Sequence, residues 1–137
     1  MRRPETKRRA RALQVLYAWE TCGRPPLGQV VARLSTLTGP DGALLDGGDQ
    51  LAQGVVGRLA EIDDLIVRAT EHWRFDRIGL LERLLLRIGI HDLLVDTMPP
   101  RLAIDTTLWL TRLFLGESAV AFVNGILDRV ARELGRL

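Results

Sequence analysis

Residues 80–95, LLERLLLRIGIHDLLV, place apolar side chains on every azimuth of a helix rather than on one stripe. A helix that is hydrophobic all round has to be covered by other helices. The stretch therefore predicts the central helix of an all-α domain. Its polar groups, Glu82, Arg83, Arg87, His91 and Asp92, must reach solvent at the helix ends or find partners inside, because an unpaired buried charge is costly. Arg87 stands mid-helix among Leu84, Leu85 and Ile88. There a buried charge-assisted bond to a carboxylate or a helix end is the expected role.

The rest of the chain supplies helices to surround it. From Arg8 to about Thr21, Leu13, Leu16, Tyr17 and Glu20 share one side at 100° per residue, with Ala12, Val15 and Trp19 beside them and Lys7, Arg11, Gln14 and Ala18 as a polar stripe. Gly23-Arg24-Pro25-Pro26 breaks that helix, and Pro26 suits the first position of a second one reaching about Leu37, with Leu27, Val30, Val31, Leu34 and Leu37 inward. Residues 38–48 (TGPDGALLDGG) read as a loop. Asp49 then caps a third helix expected to run unbroken to Trp73, with Leu51, Val55, Leu59, Ile62, Ile66, Ala69 and Trp73 inward and the Gly54 and Gly57 pair as a packing device. A short connection over Arg74 to Gly79 leads into the central helix, which Met98-Pro99-Pro100 terminates. A helix follows from about Leu102 to Leu115, stopped by Gly116, and the last begins near Ser118 as N-cap, with Val120, Val123, Ile126, Leu127, Val130 and Leu134 inward. The expected architecture is a single compact helical domain of about six to seven helices across all 137 residues.

Charge is distributed unevenly. Residues 1–11 carry Arg2, Arg3, Lys7, Arg8, Arg9 and Arg11 against Glu5, a net +5 in a chain of net +2, which leaves −3 over the other 126 residues. A basic arm on a mildly acidic body points to a polyanion held at one end, and residues 1–8 are expected to be flexible. No apolar run is long enough to cross a bilayer, and the Arg-rich start lacks the apolar segment of a secretory signal, so the cytoplasm is the expected location.

Catalysis finds little support. His72 and His91 lack the i, i+4 spacing of helical metal ligands, and the single Cys22 can complete neither a disulfide nor a Cys-rich zinc set. The paired glycines precede no Lys-Ser/Thr, so there is no phosphate loop. Asp63 and Asp64 point about 100° apart and read as a solvated face. RNA binding fits better, since Arg and Lys neutralise phosphates while an exposed amide or aromatic ring reads or stacks an unpaired base. The arm meets the first need; Gln14, Phe122 and Asn124 can meet the second, although by the residues alone Phe122 reads rather as a core aromatic and Asn124 can instead cap or bridge helices.

Three motifs carry a resemblance. Arg8-Arg9-x-Arg11 followed by Gln14-x-Leu16-Tyr17-x-Trp19, then Glu82-Arg83-x-x-Leu86-Arg87-Ile88-x-x-x-Asp92-Leu93, then Phe122-Val123-Asn124-Gly125-x-Leu127-Asp128 together resemble the NusB family of transcription antitermination factors, whose members usually have Glu at the position of Asp92. The resemblance implies binding of a single-stranded boxA leader RNA through the Arg-rich start of the first helix and residues of the last: Arg2, Arg3, Lys7, Arg8, Arg9, Arg11, Gln14, Phe122 and Asn124. It also implies a heterodimer with NusE, a small-subunit ribosomal protein, on a surface including Tyr17, Glu82 and Asp92, and action on RNA polymerase during rRNA transcription with no cofactor. A similar module opens rRNA cytosine methyltransferases; the missing cofactor-binding domain and a last helix expected to close the protein at Leu137 count against that alternative. A helical interaction module without RNA binding is the third reading. In one respect the chain departs from the family, whose members carry Glu at the positions of Thr106 and Trp109 and a small or polar residue at that of Leu113. The charged stripe becomes apolar here, and Leu102, Trp109 and Leu113 are read either as a self-association or partner contact or as extra core under the second helix or the loop over 38–48.

Overall fold

The structure, a computed structural model, describes residues 4–38, 47–70, 75–96 and 98–137. Among them are seven α-helices and no strand: α1 (Pro4–Thr21), α2 (Leu27–Thr38), α3 (Gly48–Gly57), α4 (Leu59–Ala69), α5 (Leu80–Val95), α6 (Pro100–Leu115) and α7 (Glu117–Glu133). Two compact units divide the chain, Met1–Val56 and Gly57–Leu137. Among the described residues no helix is long and apolar enough to cross a membrane.

In the first unit α1 packs on α2. Pro4 opens α1 and Glu5 lies in its first turn, two features that favour a helix start. Residues 4–8, expected in a flexible arm, are therefore helical; residues 1–3 lie outside the described residues. The helix ends where Gly23 and Arg24 take positive φ (84° and 59°). The corner is held by Trp19 Nε1 donating to the Pro25 carbonyl at 2.9 Å, and by Arg24, which lies 4.9 Å from the Trp19 ring centroid and bonds Glu20 through Nε and Nη2 at 2.8 and 3.0 Å. On α2 only Val30 of the expected inward set is fully buried, and Leu37 is exposed. Most of the predicted loop falls outside the described residues.

The expected single third helix is two helices. Arg58 (φ −119°, ψ 21°) interrupts it directly after Gly57, and α3 begins at Gly48, so Asp49 sits in its first turn rather than at its cap. Gly54 and Gly57 lower helicity enough to let the chain break there. Trp73 and His72 lie outside the described residues. A 3-10 turn at Phe75–Arg77 fills the predicted connection.

Around α5 the second unit assembles α4, α6 and α7. Residues 84–93 of α5 are all buried, and the helix closes on Asp96 in the left-handed region (φ 56°). Gly89 lets the helices close up: a Cβ there would stand 2.9 Å from Thr107 Oγ1 on α6 and 3.0 Å from Leu127 Cδ2 on α7. The buried side of α6 is Ala103, Ile104, Thr106, Thr107, Leu110 and Thr111, while Leu108 and Leu115 are half-buried. Buried threonine is tolerated because Thr107 and Thr111 donate to the carbonyls of Ala103 and Thr107 at 3.0 and 2.8 Å. Gly116 (φ 90°) ends α6 and caps α7, so Ser118 lies inside the first turn of α7 instead of capping it. Past α7, Arg136 closes the fold by donating to the carbonyls of Leu93 and Met98 at 2.5 and 3.4 Å and pairing with Asp96.

Candidate nucleic-acid interface

A helix laid on a core keeps one face for solvent, and on α1 that face holds Lys7, Arg8, Gln14 and Tyr17, with Arg11 half-buried at its edge. Arg11 Nη1 donates to Gln14 Oε1 at 3.0 Å, fixing the amide beside the cation. Arg8 lies over Gly47, where a Cβ would sit 3.5 Å from its Nε; the start of α3 abuts the α1 backbone, where a Cβ on Gly48 would be 2.6 Å from the Ala12 nitrogen. The positive end of the α3 dipole thus adjoins two arginines.

Arg9 is not on that face. It lies one turn from Leu13 on the buried side, is 3 % exposed, and donates from Nη1 to the Glu5 carbonyl at 2.9 Å. Its charge is spent inside the first unit, which removes it from the expected phosphate contacts. Arg2 and Arg3 lie outside the described residues. Tyr17 is 46 % exposed, as a partner contact requires.

In the second unit Val123, Ile126 and Leu127 turn α7 inward, leaving Asn124 exposed and Phe122 half-buried. Phe122 lines a pocket of about 340 Å³ with Arg77, Ile78, Gly79, Glu82, Ser118 and Ala119, at the N-terminal ends of α5 and α7. The Glu82 carboxylate folds back over Gly79, with Oε1 2.5 Å from where a Cβ would stand. One pocket therefore joins Phe122 and Glu82, which the sequence reading had given to different partners. Arg77 and Ser118 were missed. They stand in a short connection and in a first helical turn, where no periodicity marks them.

Asp92, expected at the NusE surface, is 1 % exposed and cannot make that contact as folded. An all-round apolar helix buries its middle, and Asp92 falls within it. Leu102 and Trp109 are half-buried, Thr106 is buried, and Leu113 is 61 % exposed beside Phe114 at 45 %. Among the described residues no cluster of three His, Cys, Asp or Glu could hold a metal.

Among the described residues, seven helices, a basic helix face and a pocket lined by an aromatic ring and a carboxylate define an all-α protein equipped for polyanion contact. The NusB family model matches residues 6–132. The transcription antitermination protein NusB of Solibacter usitatus is 37 % identical over 131 residues, covering 92 % of this chain and 87 % of that protein, and the NusB of Salinispora tropica is 34 % identical over 126 residues, covering 91 % and 93 %. The fold superposes on NusB from T. maritima with a TM-score of 0.81 at 30 % identity, covering 97 % and 94 % of the two chains. It also superposes on a crystal structure of antitermination factors NusB and NusE in complex with dsRNA, with a TM-score of 0.81 at 25 % identity over 97 % and 99 %. The chain belongs to the NusB family.

Proposed function

We propose that the protein is an RNA-binding transcription antitermination factor. It acts without catalysis in the cytoplasm, holding boxA-type single-stranded leader RNA together with NusE so that RNA polymerase transcribes rRNA processively. Lys7, Arg8 and Gln14 exposed on α1, with Arg11 at their edge, carry this reading, because cationic side chains on a helix face neutralise backbone phosphates. Family membership and the relative solved with NusE and dsRNA support it. Phe122 and Asn124 supply the base contacts, and Tyr17 faces NusE. The antitermination relatives are matched over 87 % and 93 % of their own lengths, which favours this reading over a methyltransferase module. Leu102, Trp109 and Leu113 are proposed as a self-association contact.

Filter binding of the purified protein, with and without NusE, to boxA RNA, a scrambled single strand and a duplex tests the assignment. Tighter retention of the boxA strand, increased by NusE, is expected. Equal retention of all three RNAs, unchanged by NusE, overturns it.

A further inference from the structure

Between α1 and α2 lies a pocket of about 380 Å³, within the range of about 300–1,000 Å³ in which small-molecule sites fall. The sequence makes this space. On the α1 side it is lined by Ala18 and Cys22, one helical turn apart, and two such small side chains leave room against the facing helix. From α2, Val30, Leu34 and Leu37 supply an apolar wall at helical spacing, and Pro25 adds to it. The corner between the helices holds that wall in place. Trp19 Nε1 donates to the Pro25 carbonyl at 2.9 Å, and Arg24, in the left-handed region at φ 59°, is fixed by its forked bonds to Glu20. A preformed wall loses little freedom when a ligand arrives.

The polar part of the lining is unbalanced in charge. Arg33 is the only charged residue that lines the pocket and the only one on α2. It is exposed, whereas the nearby cation Arg24 is already engaged by Glu20. A guanidinium presents its donors as a planar fork that matches the two oxygens of a carboxylate, and a single such cation matches a single negative charge. Gln29, one turn before Arg33, adds a neutral amide that both donates and accepts. Leu37 is 81 % exposed, and an apolar body laid against it would take that surface out of water. We propose that this pocket binds a small monocarboxylate with an apolar chain or ring, its head group paired with Arg33 and its body against Val30, Leu34 and Leu37. The site shares no residue with those assigned to RNA or to NusE, so it stands or falls apart from that reading.

Cys22 gives the test a reporter. It is the only cysteine of the chain, it is exposed and it lines the pocket, so its rate of alkylation by the neutral reagent iodoacetamide reads occupancy. The full chain is titrated with octanoate and with hydrocinnamate at millimolar concentrations, with octylamine and octanol as controls, and calorimetry supplies the affinities. Both carboxylates are expected to slow alkylation in a saturable way, and octylamine to leave the rate unchanged. Arg33→Gln, at an exposed position, should weaken both carboxylates by about tenfold, the lower range for losing hydrogen bonds to a charged group, while octanol binding and the melting temperature stay as in the wild type. Ala18→Leu fills the space and should abolish binding of every probe; if that variant does not fold, Arg33→Gln alone decides. An alkylation rate unaffected by both carboxylates, equal protection by octylamine, or carboxylate affinity unchanged in Arg33→Gln overturns the site.

Discussion

Arg87 on α5 bonds Asp63 on α4 in a fork, Nε to Oδ1 at 2.8 Å and Nη2 to Oδ2 at 3.0 Å, while Phe75 sits 5.8 Å from the guanidinium. The two carboxylate oxygens fix the planar cation in the middle of the central helix. The partners are unequal, because the Arg87 side chain is 2 % exposed and that of Asp63 25 %. Asp63→Ala takes a carboxylate from a cation that is almost wholly buried and should be the costlier change, by up to about 3–5 kcal/mol, whereas Arg87→Met fills the space with apolar atoms and lets Asp63 hydrate, costing clearly less. Urea denaturation of both variants checks the order. Equal losses, or a larger one for Arg87→Met, would show that the fork does not hold Arg87 in place.

The basic end of α1 yields a prediction about salt. With Arg9 inside, five cations remain for phosphates, so the slope of log K against log salt on single-stranded RNA should be about −3.5, each contact contributing about −0.7. Lys7→Ala and Arg8→Ala should each flatten the slope by about that amount and leave the melting temperature unchanged. Arg9→Ala should do the reverse, lowering stability with an unchanged slope. If Arg9→Ala flattens the slope as much as Arg8→Ala does, Arg9 leaves its buried position when RNA binds.

What the sequence disclosed follows from what periodicity can see. The limits of α5 are legible because a stretch with apolar residues on every azimuth and two prolines after it are local signals. The break at Arg58 is not, since Leu51, Val55, Leu59 and Ile62 keep helical spacing across a single non-helical residue. The burial of Thr107 and Thr111 on α6 is equally hidden, because a threonine that satisfies its hydroxyl on the preceding turn is polar in composition and apolar in effect. Asp63 was read as solvated because its partner stands 24 residues away. Arg9 and Arg8 are adjacent and chemically identical, and only the tertiary fold separates a buried cation from an exposed one. The same holds for the pocket that joins Glu82 to Phe122, two residues 40 positions apart in the chain.

Tyr17 offers a clean separation of partner binding from folding. Its ring is 46 % exposed, so Tyr17→Asp opens no cavity and should change stability by less than about 0.5 kcal/mol. Calorimetric titration with NusE should nevertheless show about tenfold weaker binding, as expected when an aromatic contact is replaced by a charge. Unaltered affinity for NusE removes Tyr17 from the interface.

The apolar stripe of α6 gives the last prediction. Leu113 and Phe114 are exposed next to each other at the C-terminal end of the helix, and Leu102 and Trp109 lie half-buried along it. Beside them Arg112 Nε holds Glu117 at 2.6 Å, bracing the corner into α7. Two large exposed hydrophobes side by side lose water when a second copy covers them, each contributing up to about 1.5–3 kcal/mol on full burial. Light scattering should therefore show a concentration-dependent dimer. Because the two side chains are exposed in the protomer, Leu113→Ser with Phe114→Ser should yield a monomer of nearly wild-type melting temperature. Trp109→Glu should instead destabilise the protomer itself, since its ring is partly inside. A wild type that stays monomeric over a hundredfold range of concentration would show that these residues do not mediate self-association, and Leu113 would then be an isolated surface apolar residue of the ordinary kind.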